Sequence, residues 1–393
     1  MLIKRRLHSY AREIFQKYPI VTVTGPRQSG KTTLVKDIFA DKPYANLERP
    51  DVRLFAQDDP LGFLAQFPDG AVLDEVQRVP ELLSYLQVQV DEDGRTGLFV
   101  LTGSHQFELM QGISQSLSGR TALLKLLPFA LVELEEHFPL ESVDTFLYKG
   151  FYPRIYDHDL PPTQALSDYY ATYIERDLRQ LLRVKDLSLF DRFVRLCAGR
   201  VGQLLNVDSL ANDVGVAHTT AREWLTILEA SFIVFLLPPY HTTTSKRLIK
   251  SPKLYFYDVG LATYLCGIED EKQLQTYPLR GNFFENAIVL EILKHRLNQG
   301  KDPNLCFYRD STGNEVDVLY PVGPDRLVPI EIKSGQTINS NYFKSLKAYE
   351  RFFGKLEQGA AVVYGGREGQ QRSDVTVVPW HNLSDFLNAL DNG

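Results

Sequence analysis

The chain is poor in cysteine, with Cys197, Cys266 and Cys306 scattered through 393 residues and no C-x-x-C pair. That excludes a disulfide framework and a cysteine-built zinc site, and it fits a reducing compartment. The eight histidines show no H-E-x-x-H or paired-ligand spacing, so a histidine metal centre of that type is excluded too. Long apolar runs are missing. The longest, residues 232–237, falls far short of the roughly 20 residues a membrane span needs. The basic start Lys4-Arg5-Arg6 is followed by Ser9, Arg12 and Glu13 where a signal peptide requires a continuous apolar stretch. A surface helix at the start of a cytoplasmic protein, with no membrane partner, is the expectation. Basic charge is not in excess either: 43 Lys and Arg stand against 49 Asp and Glu, a net charge of −6. Any contact with nucleic acid must therefore use a local patch and not a global field.

What is present is ordinary for a soluble globular protein, 44% apolar and 23% charged, at a length that exceeds one core and suggests two or three domains. The first ~125 residues alternate short β-like runs with helical stretches, the pattern of a parallel sheet covered by helices. The expected strands are 20–24, 44–47, 71–74, 98–103 and 123–127. From about 128 to 195 the texture becomes longer, charged and helical, with 168–183 the clearest helix and Pro153, Pro161 and Pro162 as punctuation. A compact helical pair and two β-like runs occupy 200–275. A second α/β stretch follows, in the order helix, three strands, helix, two strands. No internal repeat or low-complexity segment occurs.

Gly25-Pro26-Arg27-Gln28-Ser29-Gly30-Lys31-Thr32 matches G-x-x-x-x-G-K-[ST], and Thr33 follows. The segment comes directly after a β-like run and opens a helical one, the context the pattern needs. Glycines let successive backbone N–H groups turn around phosphates, and the helix N-terminus adds its positive end. Lys31 would reach the β- and γ-phosphates, and the Thr32 hydroxyl would ligate Mg²⁺. Residues 71–75, Ala-Val-Leu-Asp-Glu, form an apolar strand ending in two acids. Asp74 would hold the Mg²⁺ through water, and Glu75 would polarise the attacking water, which points to hydrolysis and not only binding. A further buried strand at 99–104 ends in polar groups, so Thr102 or Ser104 would sense the γ-phosphate or orient the water. Arg120 is a candidate for stabilising transition-state charge, in its own subunit or a neighbour's. No [NT]-K-x-D segment occurs, which favours ATP over GTP.

Residues 207–229 have helix-turn-helix texture. Asp208 or Ser209 would cap the first helix, Leu210, Ala211 and Val214 would form its inner face, and Gly215 would permit the turn. Trp224, Leu225 and Leu228 would face inward on the second helix, leaving His218, Thr219, Thr220 and Arg222 to project. The apolar runs 232–237 and 253–257 follow like a wing hairpin, and the loop between them carries Lys246, Arg247 and Lys250 as a phosphate-contacting tip. Farther on, a helix over about 281–297 carries Glu285, and strands are expected at 306–309, 315–319 and 328–333. Asp317 lies mid-strand in the second of these. Glu331 and Lys333, two apart in the third, share one face. An Asp beside Glu-x-Lys on the next strand is a ligand set for Mg²⁺-dependent phosphodiester cleavage, with carboxylates on the metal and lysine on the developing anion.

Taken together, these segments resemble a family of prokaryotic AAA-type ATPases that pair an N-terminal P-loop domain with a C-terminal region of unknown function. The matching segments are G-P-R-Q-S-G-K-T-T at 25–33, L-D-E-V-Q at 73–77, L-T-G-S at 101–104, L-S-G-R at 117–120 with L-P-F at 127–129, Y-I-E-R-D at 173–177 and I-E-I-K-S at 330–334. The C-terminal segments are similar, more loosely, to the PD-(D/E)XK nuclease superfamily, although Val316 and not proline precedes Asp317. The fold implied is α/β: a P-loop NTPase domain at 1–127, a helical connector at 128–195, a winged-helix-like domain at 196–275 and a restriction-endonuclease-like α/β domain at 276–393. The function implied is Mg²⁺-dependent ATP binding and hydrolysis coupled to those modules, acting on DNA. The alternative is an ATP-gated protein-interaction switch with an inactive nuclease-like domain. AAA-type relatives often form rings, so a homo-oligomer is compatible with the resemblance.

Overall fold

Residues 20–24, Ile-Val-Thr-Val-Thr, are β-branched at every position, and a run of that kind with no polar alternation fits a strand covered on both faces. A computed structural model describes residues 3–103, 113, 115–173, 186–240, 250–324, 326–354, 356 and 359–392. In chain order its first unit contains α1 (Leu7–Phe15), β1 (Ile20–Thr24), α2 (Lys31–Ile38), β2 (Tyr44–Asn46), α3 (Pro50–Asp58), α4 (Pro60–Ala65), β3 (Val72–Asp74), α5 (Leu82–Asp93), β4 (Phe99–Gly103) and β5 (Thr121–Lys125). All five strands are parallel, in the order β2-β3-β4-β1-β5.

Alternate residues on each strand feed two cores. Ile20, Leu73, Phe99 and Leu101 join Ala56, Leu64, Leu83 and Leu86 on one face. Val21, Val23, Val72 and Val100 join Leu7, Ala11, Leu34 and Val35 on the other. The period of two in strand side chains therefore places helices on both faces, as parallel sheets require. Four expected strands appear within a residue or two of their expected ends. The fifth, expected at 123–127, runs Thr121–Lys125 instead, because pairing from Ile20↔Thr121 to Thr24↔Lys125 sets its limits. It is an edge strand, and Leu123 stays exposed on it. The basic start of the chain is not a plain surface segment: α1 buries Leu7, Ala11 and Phe15.

The chain divides into two compact units, residues 1–129 with 230–232 and 296–301, and the remainder of 130–393. The second unit opens with the short helices α6 (Leu131–Glu135), α7 (Val143–Lys149), α8 (Pro153–Asp157) and α9 (Pro162–Tyr169). Of the helix expected over 168–183, residues 174–185 lie outside the described residues, and the described part begins earlier, at Pro162. Next come α10 (Leu187–Ala198), α11 (Val207–Val214) and α12 (His218–Ala230), then an antiparallel pair, β6 (Val234–Leu237) and β7 (Lys253–Phe256). The α11 cap is Asn206 and not Asp208 or Ser209. Its extended backbone lets the side chain accept from Ser209 N at 2.9 Å. Gly215 ends α11 at φ +90, and Trp224 packs between Phe190 and Phe193.

After α13 (Val259–Leu265) and α14 (Arg280–Asn298) comes a six-stranded mixed sheet. Its strands are β8 (Cys306–Arg309), β9 (Glu315–Gly323), β10 (Arg326–Lys333), β11 (Ala360–Tyr364), β12 (Gln370–Gln371) and β13 (Val375–Pro379), in the order β12-β13-β11-β10-β9-β8. The helix α15 (Lys344–Phe353) makes the crossover between the parallel strands β10 and β11, and α16 (Leu383–Asn392) closes the chain. The Lys246 and Arg247 tip expected on the hairpin lies outside the described residues.

One turn in the first unit gives a sharp test. At Gly70 φ is +82, and a Cβ there would sit 1.8 Å from the Leu98 carbonyl oxygen. At Gly94 φ is +71 but a Cβ would meet open space. Gly94→Ala should cost about 1–2 kcal/mol from backbone strain alone, whereas Gly70→Ala should cost more than about 3 kcal/mol. Thermal unfolding of the two variants checks the difference.

Candidate active site

The phosphate loop leaves β1 at its carboxyl end. Gly25 has φ +148, and a Cβ on it would lie 2.1 Å from the Leu126 carbonyl oxygen, so only glycine lets β1 and the segment after β5 approach this closely. Pro26 is buried, Arg27 half-buried and Gln28 exposed at φ +61; Thr33 is exposed. Gly30, at φ +91, turns the chain into α2, whose first residue is Lys31. The Lys31 ammonium is folded inside its own loop, donating to the carbonyls of Gly25 at 3.0 Å and Pro26 at 2.7 Å. Burial pulls its pKa down to about 8, against the opposing pull of Glu75 and Asp74. The Ser29 hydroxyl is buried in the same loop with no hydrogen-bond partner. A buried cation resting on two weak carbonyl acceptors beside an unsatisfied hydroxyl is suited to receive an anion.

Sequence reasoning missed the brace beneath this loop. Arg5, buried ahead of α1, donates to Ser29 O at 2.7 Å and to Leu127 O at 2.6 Å, and its guanidinium lies over the Phe129 ring. It ties the loop to the segment following β5. No motif marks it, because its partners lie 24 and 122 residues away.

Asp74 ends β3, beside the loop. The Thr32 hydroxyl donates to its Oδ2 at 3.0 Å and the Tyr44 hydroxyl to the same oxygen at 2.5 Å, while Thr102 donates to Oδ1. Three hydroxyls from α2, β2 and β4 thus converge on one buried carboxylate. Burial, followed by the bond to Asp74, pushes the Tyr44 hydroxyl pKa up, so Tyr44 stays a donor. Thr102 also accepts from Glu75 N at 3.2 Å, linking the two acids. Glu75 turns at φ +57, and Gln77 Nε2 donates to its Oε2 at 2.5 Å. Tyr44 and Gln77 were not legible as site residues. Asp74 and Thr32, the expected metal pair, stand together, and their oxygens fit a Mg²⁺ shared with a nucleotide.

Of the remaining expected residues, Arg120 does not join this group. Ser104 lies outside the described residues. Arg120 lies at the opposite edge of the sheet: its carbonyl accepts from Ile20 N at the amino end of β1, while the phosphate loop follows the carboxyl end. Five residues of strand place it roughly 13 Å from its own loop along β1. There it makes a two-pronged bond with Asp91, at 2.6 and 2.7 Å.

In the second unit, Glu285, Asp317, Glu331 and Lys333 do come near one another, with an addition. Lys253, at the start of β7 and almost wholly buried, extends its ammonium to Glu285 Oε1 at 2.8 Å, Glu315 Oε1 at 2.5 Å and Asp317 Oδ1 at 3.6 Å. Tyr255 donates to the same Glu285 oxygen at 2.5 Å. Asp317 Oδ2 accepts from Ile332 N at 2.7 Å. Lys333 Nζ and Ser345 Oγ reach Glu331 Oε1 at 2.5 and 3.1 Å, while Glu331 Oε2 is buried without a partner among the described residues. Burial, with Asp317 adding to it and Lys333 opposing it, raises the Glu331 pKa to about 8. Among the described residues no three His, Cys, Asp or Glu side chains are grouped so as to hold a metal ion. The metal expected of this ligand set does not fit the arrangement, because a lysine ammonium already engages two of its carboxylates, Glu285 and Asp317, together with Glu315. The signal in the sequence was slight: one lysine heading the otherwise apolar run 253–257.

Residues 17–135 match the family model described as AAA domain. Residues 140–272 and 280–383 match two models described as Domain of unknown function (DUF8612) and Domain of unknown function (DUF4143). Two curated relatives, the uncharacterized proteins Rv2008c of Mycobacterium tuberculosis and Mb2031c of Mycobacterium bovis, are each 31% identical over 382 residues, spanning 96% of this chain and 83% of theirs. Among solved structures, the Walker-type ATPase PABY2304 of Pyrococcus abyssi aligns over 67% of this chain and 96% of its own, at 16% identity and a TM-score of 0.45.

The lowered Lys31 pKa makes a signed prediction. The ammonium is charged below about pH 8 and neutral above it in the free protein, and phosphate binding favours the charged form. Nucleotide affinity should be level from pH 7 to 8 and fall above pH 8, by up to about tenfold per unit. Lys31→Met should weaken binding and abolish that slope; calorimetric titration with a nonhydrolysable ATP analogue across pH 7–9.5 reads both.

Proposed function

We propose that this chain, which belongs to the family of the two mycobacterial proteins and to the P-loop ATPases, hydrolyses ATP with Mg²⁺ and uses the cycle to act on a macromolecule through its second unit. The observation that carries the hydrolytic reading is the meeting of Thr32 and Asp74 at 3.0 Å beside the phosphate loop, with Glu75 next along the chain and held by Gln77. Lys31 would exchange the Gly25 and Pro26 carbonyls for phosphate oxygens. Thr32 and Asp74 would hold the metal, which supplies neutralisation of the phosphate charge. Glu75 would orient and polarise the attacking water, positioned by Gln77 and by its N–H bond to Thr102. Arg120, tied to Asp91 at the far edge of the sheet, would serve only a neighbouring subunit's nucleotide, in a homo-oligomer.

For the second unit we read a winged helix from α11, α12 and the β6–β7 hairpin, set beside a nuclease-like sheet. Two observations favour a protein target and an inactive nuclease-like site over DNA cleavage. The hairpin is engaged: Lys253 is buried in the carboxylate cluster, and Tyr240 N donates to Phe307 O of β8 at 2.7 Å. Among the described residues, the exposed positions of α12 offer Arg222 but also Glu223, with Asp213 exposed on α11, so these two helices present no basic surface there.

Phosphate release by the purified chain tests the first part. Glu75→Gln should lower turnover by about 10²–10⁴-fold while retaining nucleotide affinity, and a Lys31→Ala protein as fast as wild type would remove the hydrolytic reading. Duplex DNA titrated at low and moderate salt tests the second. Tight binding with a steep salt slope would return DNA as the target.

A further inference from the structure

The second ionic cluster carries an inference beyond ATP hydrolysis. Four carboxylates, Glu285, Glu315, Asp317 and Glu331, gather around strands β9 and β10 and the start of α14. They come from three separate elements, and Asp317 and Glu331 are almost fully buried. Like charges packed this way repel, and each would lose hydration on burial. Cations or protonation must compensate. Lys333 serves Glu331, and Arg309 reaches Glu315 at 2.7 Å. Glu285 and Asp317 are met directly by Lys253, which is 1% exposed and arrives from β7, a strand outside this sheet, with the Lys333 charge also acting on both.

We propose that the Lys253 ammonium stands in the place of a divalent cation, so that the cluster is an ionic tether locking the β6–β7 hairpin onto the C-terminal sheet and admits a divalent metal only when that ammonium is removed. The distances support this. The oxygens of Glu285, Glu315 and Asp317 lie 2.5–3.6 Å from Nζ, the range of charge-assisted N–H bonds and long ion pairs. Mg²⁺ needs its oxygens at about 2.0–2.1 Å. One set of oxygens cannot serve both cations. The unpartnered Glu331 Oε2 is the group a metal would capture once the lysine is gone. Lys253 is moreover held at both ends: its backbone pairs with Leu237 in the hairpin and bridges to Leu204, so the ammonium is delivered by a fixed strand and not by a mobile loop.

The test is Mn²⁺ binding by the full-length chain without nucleotide, read by the electron paramagnetic resonance of free Mn²⁺. Asp317→Asn serves as the reference, so that any Mn²⁺ at the phosphate loop cancels. Wild type and Asp317→Asn should bind equal amounts. Lys253→Met, which keeps the length and removes the charge, should gain one Mn²⁺ per chain over wild type, and lose it again in Lys253→Met/Asp317→Asn. Mn²⁺ should raise the melting temperature of Lys253→Met by more than that of wild type or of Lys253→Met/Asp317→Asn. Should Lys253→Met fail to fold, Lys253→Met/Glu315→Gln lowers the carboxylate count of the cluster by one and should show the same gain. An Asp317-dependent Mn²⁺ site in wild type, or folded Lys253 variants that gain none, would overturn the proposal. Neither outcome touches the ATPase reading, which rests on the first unit alone.

Discussion

The carboxylate of Asp74 is the constraint on which the nucleotide site depends. It lies at the end of β3, buried, and receives hydroxyls from Thr32 on α2, Tyr44 on β2 and Thr102 on β4. A buried carboxylate without donors would cost several kcal/mol, so this one fixes how three neighbouring elements align at the carboxyl edge of the sheet. The same bonds pass the order outward, since Thr102 also holds the backbone of Glu75 and Gln77 holds its side chain. Beneath the phosphate loop Arg5 performs the corresponding task from the other side, binding Ser29 and Leu127 carbonyls.

The two acidic sites in the chain solve one electrostatic problem in opposite ways. Around Asp74 the partners are neutral hydroxyls, which stabilise a carboxylate but leave its charge uncancelled. Such a site remains open to a metal, and Thr32 can turn its lone pairs to the same ion. Around Asp317 the partner is a buried ammonium, shared with Glu285 and Glu315, which brings a full positive charge among the carboxylates. Donor chemistry, more than carboxylate number, separates the site proposed here for Mg²⁺ from the cluster in which an ammonium takes that place.

Much of the first unit was legible because its signals are local. The β-branched run at 20–24 and the phosphate-loop pattern each occupy a few consecutive residues, and the structure brings Lys31, Thr32, Asp74 and Glu75 together as expected. Signals that depend on distant partners were not legible. Arg5 reads as one of three basic residues near the start, Tyr44 as a strand residue, and Lys253 as the polar end of an apolar run; each is explained only by a contact 24 or more residues away. The Asn206 cap was missed by two residues, since several capping side chains crowd the same turn and only the backbone angle decides among them. Arg120 illustrates the converse. Its neighbourhood in sequence suggested catalysis, but the parallel register with β1 puts it at the wrong edge for its own site.

The account stands or falls on Asp74 acting as a metal-holding group within an ATPase. Steady-state phosphate release should therefore be compared for the wild-type chain and Asp74→Asn, which preserves the shape while removing the charge and turning one acceptor oxygen into an amide donor. The wild type should turn over ATP only with Mg²⁺, and Asp74→Asn should lose at least about 10²-fold in rate with its fold intact. Equal Mg²⁺-dependent rates in the two proteins, or no ATP turnover by the wild type, would contradict it.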